Sequence, residues 1–356
     1  MVEGIYKDLK NMKEVLVLGG GGFIGRNIVQ FLIDRGDCNI TVADIKSGSN
    51  FESIKDDPDK ADRFEVIIDD FSDRKSFNHL NKKFEEIYML AAVVGVNRTL
   101  KNPHDVIRIN TMLTMNTLDW VSRNPVKRIL FSSSSENYAG TSDLFDAKIP
   151  TDESIPLSIS DINHPRWTYA MTKMHGESAF IHSAKELDFE SVVVRYQNII
   201  GPEMGFGHAI PHIVERFIKQ DNGPIKIYGH DQTRAFCFID DAVKGTIGAM
   251  ENSNSKGEIY HIGNQEEISM EELTKYIGKL LNYDGVYENA ITYPGSVSRR
   301  CPDISKAKSD FNYLPKFKWK DSVQLTVEWY KEFFESGKAP PSGGFEPPEI
   351  FQSKRD

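Results

Sequence analysis

The sequence has few cysteines, no long apolar run and no excess of basic residues, and each absence excludes a class of protein. Its three cysteines, Cys38, Cys237 and Cys301, are too few and too scattered among 356 residues for a disulfide framework or a zinc site. We therefore expect three reduced thiols that pack in the interior, and no metal. With 43 Lys+Arg against 52 Asp+Glu the formal net charge is −9, which does not suit a nucleic-acid-binding protein.

Membrane insertion and secretion are not indicated either. The longest apolar stretches, such as Ile87 to Val94, fall well short of the ~18 uncharged residues that span a bilayer. Residues 1–14 are polar and lack the apolar core and the cleavage site of a secretory signal. We therefore expect a cytoplasmic protein. Its composition, 39% hydrophobic and 27% charged, is typical of globular proteins.

What the sequence does contain is an alternation of short apolar runs and helical segments. The first run, Glu14 to Leu18, predicts a strand that is buried on both faces. Apolar residues then recur at helical spacing from Phe23 to Leu32, and Gly36 stands where that helix would end. Five further strands are predicted at residues 40–43, 64–68, 86–90, 128–131 and 191–195. Such alternation predicts an α/β protein with a doubly wound parallel sheet.

A glycine cluster lies between the first strand and the first helix. Gly19, Gly22 and Gly25 are spaced G-x-x-G-x-x-G, which lets the backbone approach a pyrophosphate at a helix N-terminus. Asp44 closes the next strand, where an acid accepts hydrogen bonds from the ribose hydroxyls and repels a 2′-phosphate. The sequence therefore predicts a Rossmann-type dinucleotide site that prefers NAD to NADP.

Beyond Arg195 the alternation ends and the chain becomes rich in glycine, proline and helical segments. Helices are predicted near residues 210–219, 239–250, 270–281 and 319–334. We therefore expect three parts: a dinucleotide-binding domain over residues 1–195 with a return at about 236–260, a smaller C-terminal α/β substrate-binding lobe over 196–338, and an extended tail over 339–356.

A candidate reactive pair lies on a predicted helix. Tyr169 and Lys173 are four residues apart and so share one helix face. Because a nearby ammonium stabilises phenolate, we expect Lys173 to lower the pKa of Tyr169 toward the working pH. Such a tyrosine takes a proton from an alcohol while hydride leaves the carbon. A strand end rich in serine, Ser132 to Ser135 followed by Glu136, accompanies this pair.

Together these motifs resemble the extended short-chain dehydrogenase/reductase family, specifically its NAD-dependent nucleotide-sugar epimerases, dehydratases and decarboxylases. The resemblance covers roughly residues 15–335. It implies a catalytic triad of Ser134, Tyr169 and Lys173, while Ser132, Ser133 and Ser135 remain competing hydroxyls. Ala139 stands where the family usually has glycine.

The resemblance also implies the groups that contact the ligands. The cofactor-binding residues would be Gly19, Gly22, Phe23, Ile24, Gly25, Asp44, Asp70, Phe71, Leu90, Ala91, Ala92, Asn110, Tyr169 and Lys173. Among them, Asp70 and Phe71 would border the adenine. Asn198 would contact the sugar diphosphate of a nucleotide-sugar substrate, and Arg234 and Arg300 would clamp its phosphates, which arginine forks match well. Family members also pair two helices per subunit into a four-helix bundle, so a homodimer through residues 105–122 and 169–184 is expected.

The reaction that follows oxidation of the sugar at C4 is left open. Ser135-Glu136 resembles uronic-acid decarboxylases and some 4,6-dehydratases, and the segment 165–169 also resembles a decarboxylase. The Thr-Asp-Glu order of typical 4,6-dehydratases is absent. Other residues resemble epimerases instead, including the epimerases that invert C3 and C5. These residues are 91–98, 110–112, Pro294-Gly295 and Arg300. In such an enzyme Glu136 would move protons beside the 4-ketone if a dry pocket raised its pKa; otherwise it is a structural carboxylate.

Epimerisation is the leading prediction, with decarboxylation or 4,6-dehydration as alternatives. A different class also has to be weighed, a binding protein that keeps the fold and uses NAD only as a sensor ligand. An intact Ser134, Tyr169 and Lys173 argue against it, because a sensor needs no proton-transfer system.

Overall fold

The computed structural model describes residues 12–145, 147–219, 223–292 and 296–340. The strands of these ranges are β1 (Lys13–Leu18), β2 (Cys38–Asp44), β3 (Phe64–Ile68), β4 (Glu86–Met89), β5 (Arg128–Ser134), β6 (Glu190–Tyr196), β7 (Ile199–Ile200), β8 (Ile225–Tyr228), β9 (Thr233–Ala235), β10 (Cys237–Phe238), β11 (Glu258–Ile262), β12 (Glu267–Ser269), β13 (Tyr287–Ala290) and β14 (Arg299–Arg300). The helices are α1 (Phe23–Arg35), α2 (Phe51–Lys55), α3 (Pro58–Ala61), α4 (Val96–Lys101), α5 (Pro103–Val121), α6 (Ala139–Leu144), α7 (Thr168–Glu186), α8 (Ala209–Ile218), α9 (Ile239–Glu251), α10 (Met270–Leu280), α11 (Ser305–Phe311) and α12 (Trp319–Glu335).

Seven strands form one sheet in the order β11-β6-β5-β4-β1-β2-β3, and every neighbouring pair is parallel. This confirms the predicted doubly wound parallel sheet. The chain builds outward from β1 to β3 and then restarts on the other side of β1 with β4. The order therefore reverses between β1 and β4, where an open α/β sheet leaves a crevice at the carboxyl ends of its strands.

Both faces of this sheet are buried, as the apolar run of β1 predicts. Val15 and Val17 pack in one cluster with residues of α1 and α9, whereas Leu16 and Leu18 pack in a second cluster with residues of α5 and α7. Because successive side chains of a strand point to opposite faces, an unbroken apolar run suits a central strand that is covered on both sides. Helix α7 is thereby fixed against the sheet beside β5.

A third apolar cluster joins α8, α10 and α12 in the C-terminal part of the chain, with Ile213, Leu273 and Val327 fully or almost fully buried. The predicted helices there correspond to α8, α9, α10 and α12. Strand β11 pairs with β6 and completes the large sheet, while β12, β9 and β14 form a small sheet of their own. The proposed division at residues 195 and 338 stays a prediction, and residues 341–356 of the expected tail lie outside the described ranges.

The cysteines and the helix lengths bear on the disulfide framework and the membrane insertion considered above. All three cysteines are buried and none is in a disulfide. Within the described ranges, no helix has both the length and the apolar character needed to cross a bilayer.

Candidate active site

The serine run at the end of β5 presents its hydroxyl groups to different partners. Ser134 hydrogen-bonds to the side chain of Tyr169, while Ser132 accepts a hydrogen bond from Lys173 Nζ at 3.3 Å. The hydroxyl of Ser133 donates a hydrogen bond to the carboxylate of Glu177 on α7. Of these three serines, Ser134 is therefore the one that interacts with Tyr169. The catalytic triad of Ser134, Tyr169 and Lys173 stays a prediction.

The pKa of Tyr169 differs from the expected one. Burial raises the pKa of Tyr169 above its usual range, and the hydrogen bond with Ser134 offsets only part of this. Burial also lowers the pKa of Lys173 to about 7, although the charge of Glu177 opposes it. Lys173 Nζ lies 2.6 Å from the carbonyl oxygen of Ser132 and 5.8 Å from the Tyr169 ring centroid. The expected lowering of the Tyr169 pKa is therefore wrong for the protein groups alone, because burial, together with the charge of Glu136, outweighs the hydrogen bond with Ser134.

Glu136, one residue beyond Ser135, lies among arginines. Its Oε1 is 2.8 Å from Arg300 Nη1, and its Oε2 is 3.6 Å from Arg166 Nη2. Burial acts to raise the pKa of Glu136, but Arg300 and Arg166, followed by Arg234, outweigh it and hold the pKa at about 2. The raised pKa that proton transfer by Glu136 would require is therefore not found among the protein groups. Glu136 is a fixed anion that orders guanidinium groups, which corresponds to the alternative of a structural carboxylate.

The two predicted phosphate-binding arginines are brought together by strand pairing. Arg234 of β9 and Arg300 of β14 are register partners in a parallel pair. Arg234 also donates to the carbonyl oxygen of Thr233 at 2.7 Å, and Asn198 donates to the carbonyl oxygen of Ala235 at 3.1 Å. The structure thus places Arg234 and Arg300 side by side, with Arg300 reaching the reactive centre through Glu136. Their contact with phosphates stays a prediction.

The glycine cluster forms a tight turn from β1 into α1. A Cβ atom on Gly19 would lie 2.4 Å from the backbone nitrogen of Ala91, and one on Gly25 would lie 2.2 Å from the carbonyl oxygen of Gly19. Gly22, the residue before α1, has open space around its Cβ position apart from the same oxygen at 3.3 Å, and no side chain caps this helix. The N–H groups at the start of α1, including those of Phe23 and Ile24, are therefore left without a capping side chain. Their contact with a pyrophosphate stays a prediction.

Asp44 ends β2 beside this turn and is tied to it. The backbone N–H of Gly21 donates to Asp44 Oδ2 at 2.9 Å. A Cβ on Gly21 would lie 2.2 Å from the carbonyl oxygen of Lys46. Burial raises the pKa of Asp44, and hydrogen bonds from the N–H groups of Gly21 and Lys46 oppose this. Sequence reasoning did not single out Gly21, although its position within the glycine cluster was a signal.

The remaining residues predicted to bind the cofactor fall into two groups. Leu90, Ala91 and Ala92 follow β4 beside Gly19, at the crevice where the strand order reverses. Asp70 is exposed after β3, but the ring of Phe71 is 2% exposed and packs against another phenylalanine in the core. The Phe71 ring therefore serves the core, and the prediction that Asp70 and Phe71 border the adenine stays a prediction.

Asn110 of α5 has its hydrogen-bonding groups occupied within the protein. Its Oδ1 accepts from the N–H of Val93 at 2.7 Å, and its Nδ2 donates to the carbonyl oxygen of Val93 and to Thr172 Oγ1. This amide therefore fixes the loop after β4 and links it to α7. The predicted role of Asn110 at the cofactor stays a prediction.

A comparison with protein families agrees with this geometry. A family model described as "NAD dependent epimerase/dehydratase family" matches residues 15–263, a range that contains the glycine turn, Asp44, Ser134, Tyr169 and Lys173. The chain belongs to the NAD dependent epimerase/dehydratase family. NAD is accordingly its cofactor, and the uncapped start of α1 together with Asp44 fits it.

Relatives of this family member carry more specific names. The chain is 28% identical over 335 residues to UDP-N-acetyl-alpha-D-glucosaminuronate decarboxylase of Bacillus cytotoxicus, covering 90% of this chain and 98% of the relative. It is 30% identical to UDP-glucuronate 4-epimerase of Thermodesulfobacterium geofontis, covering 90% and 97%. The crystal structure of UDP-glucose 4-epimerase of Thermotoga maritima with UDP-glucose has a TM-score of 0.75 and 25% identity, covering 90% and 99%.

Removing the Asp44 carboxylate tests its role in this epimerase/dehydratase family member. We expect Asp44→Ala to weaken NAD binding and to narrow the preference for NAD over NADP, because both the ribose acceptor and the repelling charge are lost. Titration of the variant with each cofactor, followed by intrinsic fluorescence, measures both effects. An unaltered preference would move ribose recognition to another residue.

The ionised state of Glu136 predicts how stability depends on pH. Since its pKa is held at about 2, below an ordinary value of 4.5, the carboxylate stabilises the fold above about pH 4.5 and loses this contribution as the pH falls toward 2. We expect Glu136→Gln to lower the free energy of unfolding by roughly 3 kcal/mol at pH 7, with a smaller difference near pH 3. Urea unfolding of both proteins at pH 7, 5 and 3 measures this, and a difference that does not change with pH would contradict it.

Proposed function

We propose that the enzyme oxidises C4 of a nucleotide-diphosphate hexuronic acid, turns the 4-keto sugar over in its pocket and reduces it again to the C4 epimer. Tyr169 accepts the proton of the C4 hydroxyl once it is ionised, and Ser134 holds that hydroxyl and the tyrosine in line. Burial opposes this ionisation, whereas the positive charges of bound NAD and of Lys173 would favour it. NAD, when bound, supplies the hydride acceptor. Lys173 and Asn110 hold the strand and loop ends on either side of Tyr169.

One observation carries the choice of an acidic sugar, the position of Arg166. This arginine lies three residues ahead of Tyr169, in the turn before α7, with 14% of its side chain exposed. Its Nε has no hydrogen-bond partner among the described residues, and its Nη2 is 3.6 Å from Glu136, beyond ordinary hydrogen-bond length. This guanidinium meets Glu136 only at long range and precedes the reactive tyrosine by three residues. We infer that its Nη groups take up the carboxylate of an acidic sugar, whose geometry a guanidinium matches.

The low pKa of Glu136 argues against some of the reactions that can follow oxidation at C4. Dehydration and inversion at C3 or C5 need a second acid or base beside the ketone, and a carboxylate with a pKa of about 2 is poorly matched to either task. Rotation of a 4-ketone needs no second acid or base. The relatives named above, two of which act on uronic acids by name, make UDP the first nucleotide to test.

Decarboxylation is the second candidate, and two segments favour it. Ser135-Glu136 and the Pro165 to Tyr169 turn resemble uronic-acid decarboxylases, and the Bacillus cytotoxicus relative is one by name. The same 4-keto intermediate weakens the bond to the C5 carboxylate, so both reactions share their first step. An NAD-sensing binding protein is not supported, because the Ser134–Tyr169 hydrogen bond and Lys173 are in place.

Incubation with UDP-glucuronic acid, UDP-galacturonic acid and UDP-glucose, read by mass spectrometry and NMR, tests this proposal. Unchanged mass with inverted C4 supports epimerisation, and loss of 44 Da supports decarboxylation. We expect Arg166→Met to lower kcat/KM for the uronic acids about 30-fold, equivalent to about 2 kcal/mol, with little change for the neutral sugar. Equal use of UDP-glucose and the uronic acids by the wild-type enzyme would contradict the proposal.

We also propose a homodimer through α5 and α7. Three large apolar side chains of α5 are exposed in the single chain: Ile107 at 42%, Met112 at 38% and Met115 at 42%. A partner's helices would cover them. We expect sedimentation velocity to give a dimer and the double variant Met112→Glu/Met115→Glu to give a folded monomer. A wild-type monomer at every concentration would rule the dimer out.

A further inference from the structure

Helix α7 carries a third ionisable residue on the face that holds Tyr169 and Lys173. Glu177 follows Lys173 by four residues, just as Lys173 follows Tyr169, so the three side chains lie along one side of the helix. The Glu177 residue is 3% exposed. Its spacing was a signal in the sequence, although nothing in the sequence showed what the carboxylate contacts.

The carboxylate of Glu177 accepts four hydrogen bonds. Its Oε1 accepts from Asn137 Nδ2 at 2.9 Å, from Arg195 Nε at 2.8 Å and from the hydroxyl of Ser133. Its Oε2 accepts from Arg195 Nη2 at 2.8 Å. Asn137 Nδ2 lies also 3.0 Å from Ser133 Oγ, so these donors form one connected network.

The donors come from three elements that meet at the reactive centre. Ser133 is in β5 and directly precedes Ser134; Asn137 is in the turn after β5 and directly follows Glu136; Arg195 is in β6. Glu177 therefore ties the helix that carries Tyr169 to the strand end that carries Ser134 and to the turn that carries Glu136.

We propose that Glu177 is a positioning residue for C4 oxidation, which sets the place of Ser134 and Glu136 relative to Tyr169. The proposal rests on the function proposed above. A buried ion pair such as Glu177 with Arg195 contributes little net stability against an apolar pair of the same shape, whereas it fixes geometry closely. Since displacement of a reacting group by about 1 Å costs about 100-fold in rate, that geometry matters for the reaction.

The chain offers a control in a second ion pair, which joins β5 and β6. Arg128 of β5 donates through Nε to Glu190 Oε2 of β6 at 2.8 Å, at the opposite end of β5 and β6 from the serines. The Arg128 side chain is 9% exposed and that of Glu190 is 26% exposed. Glu190→Gln therefore weakens a second ion pair to the same sheet without touching the reactive centre.

The test compares Glu177→Gln with Glu190→Gln. We expect both variants to melt at a lower temperature than the wild type. Only Glu177→Gln should lower kcat, by about 100-fold, while KM and the Kd for NAD stay within about twofold. Hydrogen exchange of the amides of residues 133–138, measured without substrate, should quicken in Glu177→Gln and stay unchanged in Glu190→Gln.

Two results would overturn the proposal. The first is a wild-type kcat in folded Glu177→Gln, and the second is equal exchange of residues 133–138 in both variants. If Glu177→Gln does not fold, Ser133→Ala takes its place, because it removes one donor and keeps the ion pair. It should lower kcat relative to Ser255→Ala, a buried serine that bonds to Tyr260, and equal kcat values would reject the role. The exchange measurement needs no substrate, so a failure of the proposed substrate class remains distinguishable.

Discussion

Tyr169→Phe binds NAD and nucleotide sugar but forms no reduced nicotinamide, because it lacks the hydroxyl that takes the C4 proton. Loss of a general base typically costs about 10²–10⁴-fold in rate. The ring remains to pack, so the fold and the cofactor site stay intact. Stopped-flow absorbance at the nicotinamide band, after mixing with UDP-glucuronic acid, measures the step directly.

A second tyrosine gives the control for Tyr169→Phe. Tyr196 of β6 is 9% exposed, and its hydroxyl hydrogen-bonds to Thr246 Oγ1 at 2.8 Å. Tyr196→Phe also loses one hydroxyl, at a cost of about 1 kcal/mol of stability, and should oxidise substrate normally. Oxidation by Tyr169→Phe at the rate of Tyr196→Phe would remove Tyr169 from the catalytic assignment.

Gly19→Ala should abolish NAD binding. The new Cβ would lie 2.4 Å from the backbone nitrogen of Ala91, and backbone cannot rotate away as a side chain would. Gly19 also has a φ of +86°, a conformation that costs an alanine roughly 1–3 kcal/mol. The turn must therefore move, and with it the N–H groups at the start of α1. Calorimetric titration with NAD measures the loss.

Gly36→Ala separates the clash from the backbone strain. Gly36 ends α1 with a φ of +82°, and the nearest atom to its Cβ position is Arg63 Nη2 at 4.0 Å. This variant carries the same strain without the close approach, so it should be less stable than the wild type and still bind NAD. Equal NAD affinity of the two variants would show that the approach of Gly19 to Ala91 is not what shapes the site.

The predicted dinucleotide site could be derived from the sequence because the motifs that indicate it are local. The apolar run of β1, the glycines after it and Asp44 at the end of β2 lie within one short stretch, and each element has its own periodicity or turn chemistry. Tyr169 and Lys173 likewise share a helix face by spacing alone. The serine that meets Tyr169 was identified only through the family resemblance, since four serines stand together.

The electrostatics could not be predicted, since they depend on residues far apart in the chain. The pKa of Glu136 is set mainly by Arg300, 164 positions later, which strand pairing brings beside Arg234. The hydroxyl of Ser133 is bound by the carboxylate of Glu177, 44 positions later. Burial of Tyr169 and Lys173 follows from packing of α7 on the sheet, and that burial raises the pKa of the tyrosine and lowers that of the lysine.

One measurement tests the central claim most directly, the fate of deuterium at C4 of the sugar. With UDP-[4-²H]glucuronic acid, hydride transfer from C4 and back predicts that deuterium appears on the enzyme-bound nicotinamide during turnover and remains at C4 of the product. This holds for the epimer and for a decarboxylated product, which the mass then separates. Deuterium that exchanges with solvent, with no label on the nicotinamide, would contradict C4 oxidation by this enzyme.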